Sequence, residues 1–571
     1  MKFKLRKYLK KYTWQSIVGP FCKFLEAVTD LLTPIFVAKI LDDCIPANDK
    51  HMILIYSVII FAMNLAGFGF AIICQKCAAL AAQGVGKDLR KDIYKKITTL
   101  SSNEMDKYTT MSMTNRAVHD VGQIQTAIIQ TIRQVARAPF LLVGSTVMAL
   151  IINKQLSMVF LILIPIILAL FFFVMKVTSP LYLKSKTDLD NLSNVTRENL
   201  SGSRVVRAFN KQQNEIERFD NANQQYTSTN IKVGTYAALL QPLLSLVINM
   251  AIIAVVYFGG YQVNIGGITQ GKLISFTNYL AQISVSLVII ARLIIIYTRT
   301  GASKKRIAEI FALCPSVETK PNALTLSQDT PPQIEFKNVS FSYNGIKDAI
   351  KNFSIKIEPG QTIGVIGGTG SGKSTLVNLL PRFYNVTKGQ IAINGKNIND
   401  YDLTSLRSYV SIVTQNPTLF SGTIESNLKF RDKNASQEEL KKALMISQSY
   451  EFVCEKPKGI QSVVERGGRN FSGGQRQRLT IARAIVGKPK ILILDDSSSA
   501  LDFETDYRLR KALATYLSDT TKIFVSQRTN SIAQADKIVV LDAGNVVGIG
   551  THQELLESCT VYRQIYDSQN K

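Results

Sequence analysis

The chain has 571 residues, 46% of them hydrophobic, and a formal net charge of +25. That length exceeds what one hydrophobic core supports, so two or more domains are expected. The long apolar runs crowd before about residue 300, which excludes a wholly soluble protein, and 7 scattered cysteines exclude a disulfide framework.

The chain opens on the basic run MKFKLRKYLKKYT. A cleaved signal peptide would explain it, but the apolar stretch that follows is too long, carries Lys23, Glu26 and Asp30, and lacks a small-residue cleavage site. It reads as the first membrane helix, over residues 16–40. Five more apolar runs follow, near 53–73, 136–153, 156–178, 237–261 and 273–297. Each has the length a helix needs to cross roughly 30 Å of hydrocarbon. The basic start and the basic KDLRKDIYKK after the second run belong on the cytoplasmic side, and the acidic DDCIPANDKH faces out. Both termini are therefore expected in the cytoplasm, with the chain in a bacterial cytoplasmic membrane. The positive charge suits a membrane's anionic inner surface, and no nucleic-acid partner is expected. Cys74 and Cys77 have a redox or zinc spacing, yet they end a membrane helix with no second ligand pair, so no metal is expected there.

Two excursions, about 76–135 and 179–236, carry mixed charge at helical spacing and read as membrane helices continued beyond the bilayer. A Pro/Ser/Thr-rich stretch over 316–332 then separates a membrane part, 1–315, from a second domain, 333–571, which opens on the strand-like IEFKNVSFSY.

The second domain carries the chemistry. Gly367, Gly368, Thr369, Gly370, Ser371, Gly372, Lys373 and Ser374, followed by Thr375, fit the phosphate-binding G-x-x-x-x-G-K-[ST] loop. Its glycines let backbone N–H groups approach phosphates, Lys373 reaches the terminal ones, and Ser374 binds Mg²⁺. A nucleoside triphosphate and Mg²⁺ are thus the expected ligands. Further on, Ser472, Gly473, Gly474 and Gln475 open an Arg-rich helix, offering a hydroxyl, unhindered N–H groups and a positive helix end to a γ-phosphate. The run ILILDD ends on Asp495 and Asp496.

Loop, signature and acidic strand end together resemble the ATP-binding cassette transporters, specifically exporter half-transporters. The resemblance covers essentially the whole chain. It implies an all-α six-helix transmembrane domain followed by an α/β P-loop nucleotide-binding domain with a helical subdomain. At matching positions it implies that Tyr343 stacks on adenine, Gln415 senses metal and water, and Asp495 attends Mg²⁺. Asp502 would end a loop communicating between two sites. Coupling helices would lie near 105–115 and 200–212. Two such domains would pair head to tail, each ATP lying between one chain's P-loop and the other's SGGQ.

Two positions depart from the family pattern. Asp496 stands where the catalytic glutamate is expected, which withdraws the carboxylate by about 1.5 Å, a distance to which general-base chemistry is sensitive. Gln527 stands where the switch histidine is expected, and glutamine cannot become a cation or relay a proton. Damage limited to these two positions implies one subunit of a heterodimer. Its own site would bind ATP and turn it over poorly, and its SGGQ would complete the competent site of a partner that keeps Glu and His. A slow homodimer and a non-transporting regulatory ATPase are the alternatives.

The substrate is less legible. Glu26, Asp30, Arg137 and Arg292 lie in or beside membrane runs, where ionisable groups face a cavity or one another. They imply either a path attractive to cationic amphiphiles or an internal ion pair. Drug or amphiphile export is the leading expectation, with lipid or lipid-linked export second.

Overall fold

A computed structural model describes residues 3–327, 332–497 and 499–569. Residues 328–331, at the end of the expected linker, lie outside the described residues. The chain divides into two compact units, Met1–Thr98 with Thr110–Ala312, and Thr99–Thr109 with Leu313–Lys571.

The first unit is helical. Among the described residues five helical stretches are long and apolar enough to cross a membrane: Lys50–Thr98, Thr110–Ile152, Met158–Ser201, Gln212–Asn264 and Gln270–Ala312. The expected first crossing is a helix of 27 residues, Thr13–Lys39. It is not among the five, because Lys23, Glu26 and Asp30 are spaced through its centre. At 49 residues, the Lys50–Thr98 helix runs about 74 Å at 1.5 Å per residue. It therefore extends far beyond its apolar part.

Small residues set how closely these helices approach. Ala78, Ala81, Ala82, Val85, Gly86 and Leu89 form a buried stripe at helical spacing on Lys50–Thr98. A Cβ at Gly86 would lie 2.2 Å from Gln125 Nε2, so only glycine lets Gln125 reach the carbonyl of Ala82, to which it donates at 3.3 Å. Pro34, inside the first helix, cannot donate to the carbonyl of Asp30 one turn back. Gln282 Nε2 donates to that oxygen instead, at 3.1 Å, and Ser145 Oγ donates to Gln282 Oε1 at 3.0 Å.

The second unit holds the strands. They are β1 (Ile334–Phe341), β2 (Ile350–Ile357), β3 (Thr362–Gly367), β4 (Lys388–Ile393), β5 (Lys396–Asn397) and β6 (Val410–Val413). After them come β7 (Gly422–Thr423), β8 (Val463–Val464), β9 (Ile491–Asp495), β10 (Thr521–Val525), β11 (Lys537–Asp542) and β12 (Asn545–Gly550). One sheet is antiparallel, in the order β2-β1-β4-β5. The other runs β12-β11-β3-β10-β9-β6, parallel except for β12. Its central strands read as continuous apolar runs because both faces are covered, and all five residues of β9 are buried. A separate helical core gathers Leu428, Leu440, Leu444, Phe452, Phe471 and Leu479. The short helix Ser102–Lys107, closed by a Ser101–Glu104 capping box, belongs to this unit. There Tyr384 donates to Asp106 at 2.6 Å.

Candidate functional site

Four segments of the site leave the carboxyl ends of parallel strands, where α/β sheets open a ligand crevice. β3 ends at Gly367, β6 two residues before Gln415, β9 at Asp495 and β10 two residues before Gln527. Together they line a cavity of about 350 Å³ with Tyr343, Thr369, Gly370, Gly372, Lys373, Ser374, Thr375, Gln415, Asp495, Asp496 and Gln527.

The loop between β3 and the helix Lys373–Leu379 is held open by backbone geometry. Gly372 has φ +101°, and a Cβ there would lie 2.6 Å from the carbonyl of Ala349, so only glycine fits. Lys373 is 8% exposed, and its ammonium donates to the carbonyls of Gly367 and Gly368 at 2.9 and 2.7 Å. Burial pulls its pKa down, partly offset by Asp496 and Asp495. The hydroxyl of Ser371 is buried without a hydrogen-bond partner among the described residues. A buried ammonium and an orphan hydroxyl on a glycine loop at a helix start fit a polyphosphate.

Ser374 Oγ donates to Asp495 Oδ1 at 3.1 Å, and Gln415 Nε2 donates to Asp496 Oδ2 at 3.1 Å. The oxygens of Ser374, Asp495 and Gln415 are the hard donors that Mg²⁺ takes. Burial raises the pKa of both carboxyls; Ser374 opposes this at Asp495, as do Gln415, Lys373 and Arg528 at Asp496. Asp496 has φ +45°, a left-handed conformation in which Asp and Asn are enriched. Tyr343 stands at the rim, 48% exposed, its hydroxyl 3.1 Å from Thr375 Oγ1 and its ring 5.2 Å edge-on from Tyr384.

The signature residues do not line this cavity. Ser472 caps the helix Gly473–Ile485 through a capping box with Gln475, and Gly473 has nothing among the described residues within 4 Å of a Cβ position. Asp502 caps the helix Phe503–Tyr516 by accepting from Thr505 N at 2.9 Å, which holds its carboxyl below the usual range.

One contributor was not readable from the sequence. Gln569, near the chain's end, donates to the carbonyl of Gln527 at 2.6 Å and accepts from Thr529 N and Oγ1 at 2.8 and 3.0 Å. Lying 42 residues from Gln527 in a polar helix, it carries no local signal.

In the first unit, Lys23 pairs with Glu26 at 2.6 Å, and Arg137 pairs with Glu26 at 3.4 Å and Asp30 at 2.8 Å. Arg292 is exposed and joins none of these pairs.

Comparison with known proteins gives two family matches: "ABC transporter transmembrane region" over residues 16–287 and "ABC transporter" over residues 350–499. An uncharacterized ABC transporter ATP-binding protein of Bacillus subtilis, YfiB, is 32% identical, covering 98% of this chain and 97% of that protein. An ATP-dependent lipid A-core flippase of Desulfotalea psychrophila is 30% identical, covering 95% of this chain and 93% of its own. Among solved structures, a bacterial Atm1-family ABC exporter with ATP bound matches at TM-score 0.81 and 24% identity, over 97% of this chain and 98% of that one. At that identity the likeness establishes the fold.

Proposed function

The chain belongs to the ATP-binding cassette transporters, and on that premise we propose that it is one half of a heterodimeric exporter whose own P-loop binds ATP but hydrolyses it poorly. One observation carries the reading. Asp496 and Gln527 line the same cavity as the intact P-loop, so both departures fall at the chemistry while the binding parts are spared. A carboxylate shortened by one methylene and already engaged by Gln415 is a weak general base, and Gln527 supplies no imidazole. Lys373, Ser374, Thr375 and the loop N–H groups would hold the phosphates, Tyr343 the adenine, and Ser374, Gln415 and Asp495 the Mg²⁺. When bound, Mg²⁺ neutralises phosphate charge.

Gly473 supports the paired arrangement. Glycine loses more backbone freedom on ordering than any other residue, and among the described residues nothing in its own chain requires it there. A partner's nucleotide approaching the Ser472–Gln475 backbone would. The partner keeps Glu and His, and this chain's signature completes the partner's site. The domains of this reading are a six-helix transmembrane domain over 1–315, a linker over 316–332 and the nucleotide-binding domain over 333–571. It places both termini in the cytoplasm and the helices in the cytoplasmic membrane. Six crossings need Thr13–Lys39 as the first, its charges neutralised by Arg137.

The exported substrate is an amphiphile. Export of a lipid or lipid-linked molecule is the second reading, favoured by the 30% identity to the lipid A-core flippase. The test is Mg²⁺-dependent ATPase activity of the purified chain, alone and with the co-expressed half-transporter from its genomic neighbourhood. The chain alone binds ATP with little turnover, and the pair turns over briskly. Vigorous hydrolysis by a demonstrated homodimer overturns the heterodimer.

A further inference from the structure

A cavity of about 610 Å³ opens among the helices of the first unit, with Asp30, Asn64, Arg137 and Asn278 in its lining and Val37, Leu141 and Ile289 as apolar wall. That volume is in the range of small-molecule sites. The charges behind it cancel, since two cations, Lys23 and Arg137, face two anions, Glu26 and Asp30. Lys23 and Glu26 are withdrawn, with side chains 9% and 13% exposed. Arg137 and Asp30 stay 28% and 33% exposed, so the cavity meets an ion pair and not a single charge. Asn64 and Asn278 each donate one N–H to a carbonyl of their own helix. Their amide oxygens and second N–H groups have no partner among the described residues and are left open in the cavity lining.

We infer that this cavity is a headgroup site for a zwitterionic amphiphile. A bare cation must compete with Arg137 for Asp30, which Arg137 already holds at 2.8 Å, and a bare anion must compete with Asp30 for Arg137. A dipolar head satisfies both, laying its positive end against Asp30 and its negative end against Arg137 while the two asparagines take its remaining polar atoms. The apolar wall receives the chain. The inference rests on the export reading, and of the two expectations for Glu26, Asp30 and Arg137 it builds on the internal ion pair and not on a path attractive to cationic amphiphiles.

The test is binding, independent of transport. Fluorescent single-chain amphiphiles with phosphocholine, trimethylammonium or phosphate heads and one common tail are titrated into the full-length chain in maltoside micelles. Phosphocholine should bind about fivefold tighter than either charged head, the size of one partly exposed charge contact. Arg137→Gln should reverse the order in favour of trimethylammonium. Asn278→Leu, which leaves every ion pair intact, should weaken phosphocholine about threefold or more, on the order of one lost hydrogen bond. Equal or tighter binding of a charged head by the unaltered chain, or an order unmoved by both substitutions, overturns the site. Headgroup selection without transport in proteoliposomes overturns the export reading and leaves the site standing.

Discussion

Gln415 and Asp496, 81 residues apart, meet at 3.1 Å with the amide donating to the carboxylate. The carboxylate that should prepare a water is tied to a side chain from the end of the β6 segment. If Asp496 contributes little chemistry, Asp496→Asn should remove little of the assembled complex's ATPase activity. Lys373→Ala should cost more, through weaker nucleotide binding. Ser472→Ala or Gly474→Ala should cost most, because those residues would serve the partner's nucleotide. Restoring Asp496→Glu with Gln527→His should raise turnover at this chain's own site about tenfold or more, within the range general-base catalysis supplies. Steady-state rates of the variants decide the order, and abolition by Asp496→Asn alone would make Asp496 a true base.

Two glycines should behave oppositely. Gly372→Ala places a methyl 2.6 Å from the Ala349 carbonyl at φ +101°, a strain of about 1–3 kcal/mol, so ATP affinity of the isolated chain should fall about tenfold or more. Gly473→Ala meets open space among the described residues and should leave that affinity unchanged while lowering ATPase in the complex. Nucleotide titration followed by coupled ATPase measurements separates the two.

Asp495 and Asp496 bear on pH. Burial raises both carboxyl pKa values above the ordinary 3.8, so the folded protein takes up protons before the unfolded chain does. Their raised pKa therefore contributes stability that is present below 3.8 and lost as pH climbs through the folded values, leaving both as liabilities at neutral pH. Asp495→Asn keeps an acceptor for Ser374 and should stabilise the nucleotide-free protein by about 0.5–2 kcal/mol at pH 7. It should also weaken Mg²⁺-dependent ATP binding. Thermal unfolding at pH 7 and pH 4 checks the sign: the gain shrinks at the lower pH.

The Gln569 amide is the tie between the chain's end and the Gln527 loop. Removing it by Gln569→Ala leaves the fully buried Thr529 with its N–H and hydroxyl unpaired, a cost of about 1–3 kcal/mol. Hydrogen exchange of residues 526–530 should accelerate in the full-length variant, and exchange in β3 should not. Equal protection in both proteins would show that the loop holds itself.

What the sequence determined by itself is what depends on neighbours along the chain. Apolar runs long enough for a membrane, the P-loop's glycines around Lys373, the Ser472–Gln475 cap and the apolar run into Asp495 are each complete within about 25 consecutive residues or fewer. Their chemistry follows from residue type and local spacing. Tertiary structure decided what meets across the chain. The parallel order β3-β10-β9-β6 brings Lys373, Gln527, Asp496 and Gln415 to one crevice, and strand order is not encoded in the spacing within any one strand. Lys23 meets Glu26 along one helix, but Arg137, 107 positions from Asp30, reaches Glu26 and Asp30 only because their helices pack side by side. Gln282 satisfies the carbonyl that Pro34 leaves open for the same reason: a buried polar group must find a partner, and helix packing chooses which one.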